Sequence, residues 1–177
     1  MESDATLESA FQQELRRRAK MYYQQAYGRQ AQGALEEAIG LYQQSLALYP
    51  TAEAHTFLGW AYSFIGRYDD AIAECERAIA VDPEFGNPYN DIGAYLIELD
   101  RPTEAIEHLQ RALVAKRYDC YHYAHFNLGR VYEASGDLAR AREHFVQALV
   151  LAPGYHPAER ALQAVERRIG RPDPREA

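Results

Sequence analysis

The sequence predicts an all-α chain of stacked helix pairs, and three observations predict it. Residues 52–85, 86–119 and 122–155 align without gaps as segments of 34 residues. Within them, small residues return at fixed places and apolar residues recur at helical spacing, as in Ala71, Ile72, Cys75, Ala78 and Ile79. Glycine and proline punctuate the middle and end of most segments, where a helix pair must turn.

The elements follow in chain order. Residues 1–6 are expected to be disordered. Leu7 to Arg18 should be helical and lengthen the first helix of a degenerate repeat, residues 19–51, one residue short of the others. That repeat keeps Ala26, Ala38, Tyr42 and Pro50 in register, but carries Gln25 and Arg29 where the others have an apolar and an aromatic residue. In the regular repeats the eighth place is Gly59, Gly93 and Gly129, preceded by Leu58, Ile92 and Leu128. The twentieth place is Ala71, Ala105 and Ala141; the twenty-seventh is Ala78, Ala112 and Ala148. Small residues at these places let two helix backbones approach. Large residues fill the gaps: Tyr62, Leu96 and Tyr132 at the eleventh place, Cys75, Leu109 and Phe145 at the twenty-fourth.

Gly33, Gly66 and Gly136 occupy the turn between the helices of a pair, where a left-handed residue closes the first helix; the 86–119 repeat has Asp100 there. Pro83 and Pro153 end their repeats, since proline cannot continue a helix. Arg117 stands in that place in the 86–119 repeat, and Cys120-Tyr121 is a two-residue insertion after it. The joint between these repeats should therefore be looser or locally extended. Asn87-Pro88 reads as an N-cap followed by proline at the first helical position. Residues 157–169 form an amphipathic helix with Ala161, Leu162, Val165 and Ile169 on one face, suited to cap the open end of a repeat stack. Residues 170–177, with Pro172 and Pro174, read as a disordered tail.

This pattern resembles the tetratricopeptide-repeat (TPR) family, whose signature places Leu, Gly, Tyr, Ala, Phe and Pro at these offsets. The resemblance covers residues 19–155. It implies a right-handed superhelical solenoid of about four antiparallel helix pairs within a single domain, residues 7–169, with 157–169 as its capping helix. It also implies a non-catalytic protein-binding module without cofactor.

Composition agrees with that class. The net charge is −7, and residues 52–119 carry all of it, which disfavours nucleic acid and favours a basic or amphipathic partner there. No apolar run is long enough for membrane insertion. The acidic start, Met1-Glu2-Ser3-Asp4, is unlike a secretory signal, and two cysteines, Cys75 and Cys120, cannot frame a disulfide scaffold. The expected location is the cytoplasm.

In the family, the first helix of each pair lines the binding groove, through its second, fifth, ninth and twelfth places. Carried onto this chain, the groove residues are Lys20, Tyr23 and Tyr27, then Thr56, Trp60 and Ser63, then Asn87, Asn90 and Ala94, then Tyr123, Phe126 and Arg130. Five aromatics, Tyr23, Tyr27, Trp60, Tyr123 and Phe126, stand on places that packing does not require, and aromatics are common binding anchors. Asn87, Asn90 and Arg130 can satisfy a peptide backbone or carboxylate. The competing reading is that some of these rings pack against a neighbouring repeat. Certain relatives hold a chaperone's C-terminal carboxylate with a Lys/Asn/Asn/Lys/Arg set; only Asn90 and Arg130 match it here.

Cys120, His122 and His125, with His108 or His144, raise a metal reading, because thiolate and imidazole suit zinc. Their spacing fits no established finger, a fourth ligand is missing, and His125 falls on a packing place, so no metal is expected. No phosphate-cradling glycine loop or nucleophile elbow is present. The leading reading is an adaptor that clasps a peptide or helix. A self-assembling homo-oligomer is the second. An enzyme or metal protein built on His122 and His125 is the third.

Overall fold

The computed structural model describes residues 2–170 and consists, over that range, of nine α-helices: α1 (Glu2–Ala31), α2 (Leu35–Leu48), α3 (Ala52–Phe64), α4 (Tyr68–Val81), α5 (Asn87–Glu98), α6 (Pro102–Val114), α7 (Tyr121–Ala134), α8 (Leu138–Leu151) and α9 (His156–Ile169). The expected tail beyond Gly170 lies outside the described residues. The chain forms two compact units, residues 1–83 and 84–177.

In the first unit α1 pairs with α2 and α3 with α4. α1 starts at Glu2 rather than Leu7, so residues 2–6 continue the helix instead of lying outside it. That stretch contains neither Gly nor Pro to stop it. Ala26, Ala38 and Tyr42 of the degenerate repeat are buried as the regular places require. Its twenty-seventh place holds Ser45, whose buried hydroxyl donates to the Ala19 carbonyl at 2.8 Å. Thr51 caps α3 by accepting from the Ala54 N–H at 3.1 Å.

In the second unit α5 pairs with α6, α7 with α8, and α9 packs on α8. The small places work by close approach. A Cβ on Gly93 would lie 2.5 Å from Leu109 Cδ2, and one on Gly129 would lie 2.4 Å from Phe145 Cε1. The eighth-place glycine of one helix thus receives the twenty-fourth-place side chain of its partner. The intervening turn takes positive φ at Gly33 (77°), Gly66 (75°) and Gly136 (81°), and also at Asp100 (58°). Asp tolerates that region better than most residues, which is how the 86–119 repeat turns without glycine.

Three local expectations are corrected. Asn87 is the first residue of α5, and Gly86 precedes it as the cap residue, without a side-chain cap bond. Gly86 is fixed by its surroundings: its N–H donates to the Arg117 carbonyl at 3.1 Å, and a Cβ there would meet Tyr118 Cβ at 2.4 Å. The joint around residues 115–120 is extended as expected but not loose. Arg117 donates its N–H to the Glu84 carbonyl at 2.9 Å, and its guanidinium covers the Phe85 ring at 4.9 Å. A proline at 117 would delete that N–H donor. On α9, Ala158 and Val165 are buried, while Ile169 is exposed, because the helix reaches its last turn beyond the surface it covers.

Candidate functional site

In the first unit, α1 and α3 bring their aromatic residues into one tier. Tyr23 and Tyr27 each meet Phe57 edge to face at 5.6 Å. Phe57 meets Trp60 at 5.6 Å, and Trp60 meets Phe64 at 5.4 Å. Tyr23 is half-buried, and burial pushes its phenol up to about 12. Tyr27, Trp60 and Phe64 are 52%, 43% and 57% exposed, respectively, which is costly for rings of this size unless something covers them. Tyr27, Gln30, Ala31, Trp60 and Phe64 line a cavity of about 170 Å³. Lys20 and Tyr23 belong to a separate cleft of about 350 Å³, bounded also by Arg16, Ala19, Tyr49 and Glu53. Arg16 lies over the Tyr49 ring at 4.7 Å. A wider hollow of about 700 Å³ between α1 and α2 contains none of the sequence-predicted residues.

Thr56 departs from the expectation. It is buried, and its hydroxyl donates to the Ala52 carbonyl at 2.8 Å, one turn back in its own helix. Ser63 donates likewise to the Trp60 carbonyl at 2.8 Å. Sequence reasoning missed Phe57 and Phe64. Their signal was the spacing of Phe57, Trp60 and Phe64, at i, i+3 and i+7 on one helical stripe.

The second unit is more polar. Asn90 on α5 is buried, accepts from Asn127 Nδ2 at 3.1 Å and donates from its own Nδ2 to Asp91 Oδ1 at 3.2 Å. It is therefore a fixed internal link rather than a free groove donor. Asn87 is half-buried at the start of α5, and Ala94 lies one turn from its end. On α7, Arg130 is held by Glu98 of α5 at 2.8 Å. Phe126 packs on Phe145 at 5.8 Å and on Tyr155 at 5.3 Å, so this ring serves packing. Tyr123 stays 41% exposed while meeting His122 in a tilted contact at 4.0 Å and Tyr155 edge to face at 5.5 Å.

The histidines do not gather around Cys120. His122 is flanked by Tyr123 and Tyr155. His125 turns instead to His144 on α8, Nδ1 to Nδ1 at 3.0 Å. Burial lowers the affinity of both rings for protons, with the neighbouring imidazole adding to the effect at His125. No group of three or more His, Cys, Asp or Glu side chains able to hold a metal occurs among the described residues. Cys75 is buried against Gly59, with its sulfur 3.3 Å from where a Cβ would stand.

The family models for the tetratricopeptide repeat match residues 52–85 and 85–153, together more than half of the chain. Among curated proteins, the small glutamine-rich tetratricopeptide repeat-containing protein 2 of Mycosarcoma maydis is 32% identical over 98 residues, 54% of this chain and 28% of that protein. The chain thus spans less than a third of the length of this relative. Among solved structures, PilF of Pseudomonas aeruginosa superposes with a TM-score of 0.80 at 24% identity, covering 89% of this chain and 70% of that one. YrrB, described as a TPR protein with an unusual peptide-binding site, superposes with a TM-score of 0.65 at 25% identity, covering 84% and 76%. The all-α helix-pair architecture is that of these repeat solenoids. No helix among the described residues is long and apolar enough to cross a membrane.

Proposed function

The chain belongs to the tetratricopeptide-repeat family, and we propose that it acts as a non-catalytic adaptor that binds a peptide or helix of a partner protein. The observation that carries this reading is the exposed tier of Tyr27, Trp60 and Phe64 in the first unit. These rings are already held by edge and tilted ring contacts, so a partner that covers them gains apolar burial without ordering loose side chains. Lys20 and Tyr23 extend the same helix faces toward the neighbouring cleft. The second unit is proposed to offer a contact surface of its own, with Asn87, Tyr123 and Arg130 on it and Asn90 fixed by its link to Asn127. The peptide-binding site named for YrrB supports this reading at the level of the fold. The proposal includes a cytoplasmic setting, with which Cys75 and Cys120 standing outside any disulfide accord.

Trp60 is the sole tryptophan, so its fluorescence reports on the tier directly. The test is capture of partners from native extract by the wild type and by the double variant Tyr27→Ala with Trp60→Ala. Circular dichroism checks that the variant folds. A partner held by the wild type, lost from the folded variant, and shifting Trp60 emission when purified supports the adaptor. Partners retained equally by both overturn it.

A second reading, self-assembly, draws on Val150 and Leu151 of α8 and Ile169 of α9, which lie exposed on neighbouring elements. Sedimentation over a range of concentrations decides it: a chain that stays monomeric at high micromolar concentration removes it.

A further inference from the structure

The second unit contains an acid that its own chain leaves without a counter-charge. Asp91 stands on α5 at the end of an oriented amide relay: Asn127 donates to Asn90 at 3.1 Å, and Asn90 donates to Asp91 at 3.2 Å. Both amides point their donors toward the carboxyl, so the relay ends on an acceptor with lone pairs to spare. No Arg, Lys or His ion pair reaches Asp91 among the ion pairs of the described residues. Three bases of α7 and the 115–120 joint have other partners. Arg130 is held by Glu98 at 2.8 Å, Lys116 lies 3.5 Å from Glu84, and Arg117 covers Phe85. Beside Asp91, Tyr118 is buried within the 115–120 joint and its hydroxyl has no hydrogen-bond partner. That phenol lies in the field of the Asp91 carboxyl, with Cys120 and Tyr123 adding to it.

Two incompletely satisfied groups thus lie in one another's field: a carboxyl held mainly by an amide, and a buried hydroxyl whose nearest donor is the Ala124 backbone N–H. Leaving such groups buried is costly unless something completes them. Burial pushes the Asp91 carboxyl up to about 7, the mark of an acid short of donors and cations. The missing component is a positive charge that also donates hydrogen bonds. The strongly acidic balance of residues 52–119 favours the approach of such a group.

We propose that Asp91, with the Asn90–Asn127 relay behind it and Tyr118 in its field, receives a lysine or arginine side chain of a partner peptide bound to the second unit. The assignment rests on the adaptor reading and names the chemistry of its partner. The carboxylate pairs with the cation. The Tyr118 hydroxyl accepts one of its N–H groups, and Tyr123, half-exposed on α7, offers a ring face to the aliphatic stem.

The test is titration of the full chain with hexa-arginine and hexa-glutamate peptides at low ionic strength, following heat and the side-chain amide resonances of Asn90 and Asn127. Three proteins are compared: wild type, Asp91→Asn, and Glu107→Gln, which removes an equal charge from exposed α6. The expected result is that hexa-arginine binds the wild type and shifts both amides, hexa-glutamate does not bind, Asp91→Asn weakens binding about tenfold, and Glu107→Gln changes it less than about twofold. The melting temperature of Asp91→Asn should hold or rise, which separates lost binding from lost folding. Equal weakening by the two variants overturns the proposal, because only the general field would then be acting. Absence of hexa-arginine binding overturns it too. Neither failure touches the adaptor reading, which is scored on Tyr27 and Trp60 in the other unit.

Discussion

The 52–85 and 122–155 repeats treat the same pair of part-buried places in opposite ways. The fourth and twenty-third places hold His55 and Glu74 in one, His125 and His144 in the other. His55 Nδ1 lies 2.6 Å from Glu74 Oε2, and Arg77 closes on the other carboxylate oxygen. His125 and His144 share a single proton position at 3.0 Å, with no acid between the rings. His144 stacks at 5.4 Å on Tyr132, which Arg140 covers from 4.5 Å. The frame is common to both repeats, while the charge logic is not. A pair of unlike groups resists being broken, whereas a pair of like groups resists being protonated.

Breaking the first pair should have the largest effect. Glu74→Ala leaves His55 without its carboxylate in a nearly closed site, while Arg77 stays exposed to solvent, and should cost about 3 kcal/mol in urea unfolding. The equivalent His144→Ala removes one neutral hydrogen bond and a stacked ring, so a cost as large as that of Glu74→Ala would erase the distinction.

Asp91 supplies the third case, a half-buried acid with neither a base nor a like partner. Its carboxyl is raised from 3.8 to about 7, so its ionisation opposes folding, and stability should fall as pH rises between those values. Asp91→Asn should therefore gain about 2 kcal/mol at pH 8, discounted for the solvent that reaches the group, and almost nothing at pH 4. A loss at pH 8 would show that the ionised form already has a partner within the chain.

The His125–His144 pair predicts the opposite pH slope. Both rings bind protons less readily in the folded chain than the ordinary 6.5, so the unfolded chain takes up protons first on acidification. Stability should fall as pH drops from 6.5 through the lowered folded values. His144→Glu recreates the arrangement of the 52–85 repeat and should flatten that slope in thermal melts; an unchanged slope would assign it to other groups.

The smallest effect belongs to the turns. Asp100 performs at φ 58° what glycine does at 33, 66 and 136, so Asp100→Gly should gain about 0.5–1 kcal/mol. No gain would mean that its side chain compensates for the strain.

The repeat frame was legible in the chain because it depends on size at fixed spacing. Gly93 admits Leu109, Gly129 admits Phe145, and these pairings could be read from the places alone. The candidate site was legible only in part, because exposure depends on what the neighbouring helix presents. Tyr27 and Trp60 stand exposed at their places, while Thr56 is sealed by its own helix, Asn90 is tied to Asn127, and Phe126 is covered by Phe145 and Tyr155. Phe57 and Asp91 share the sixth place of their repeats, which was not among the groove places, yet one centres the aromatic tier and the other ends the amide relay.

By itself, then, the sequence determined the helix pairs, their turns and their period, since backbone propensity and the alternation of small and large side chains act over one or two helical turns. The tertiary structure decided which polar and aromatic residues face outward, which are spent on packing, and where Arg117 stitches an extended joint in place of a proline. Many of those outcomes depend on hydrogen-bond partners and ring neighbours on another helix, 19 residues away for Phe126 and Phe145 and 37 for Asn90 and Asn127, and local spacing carries no information about them.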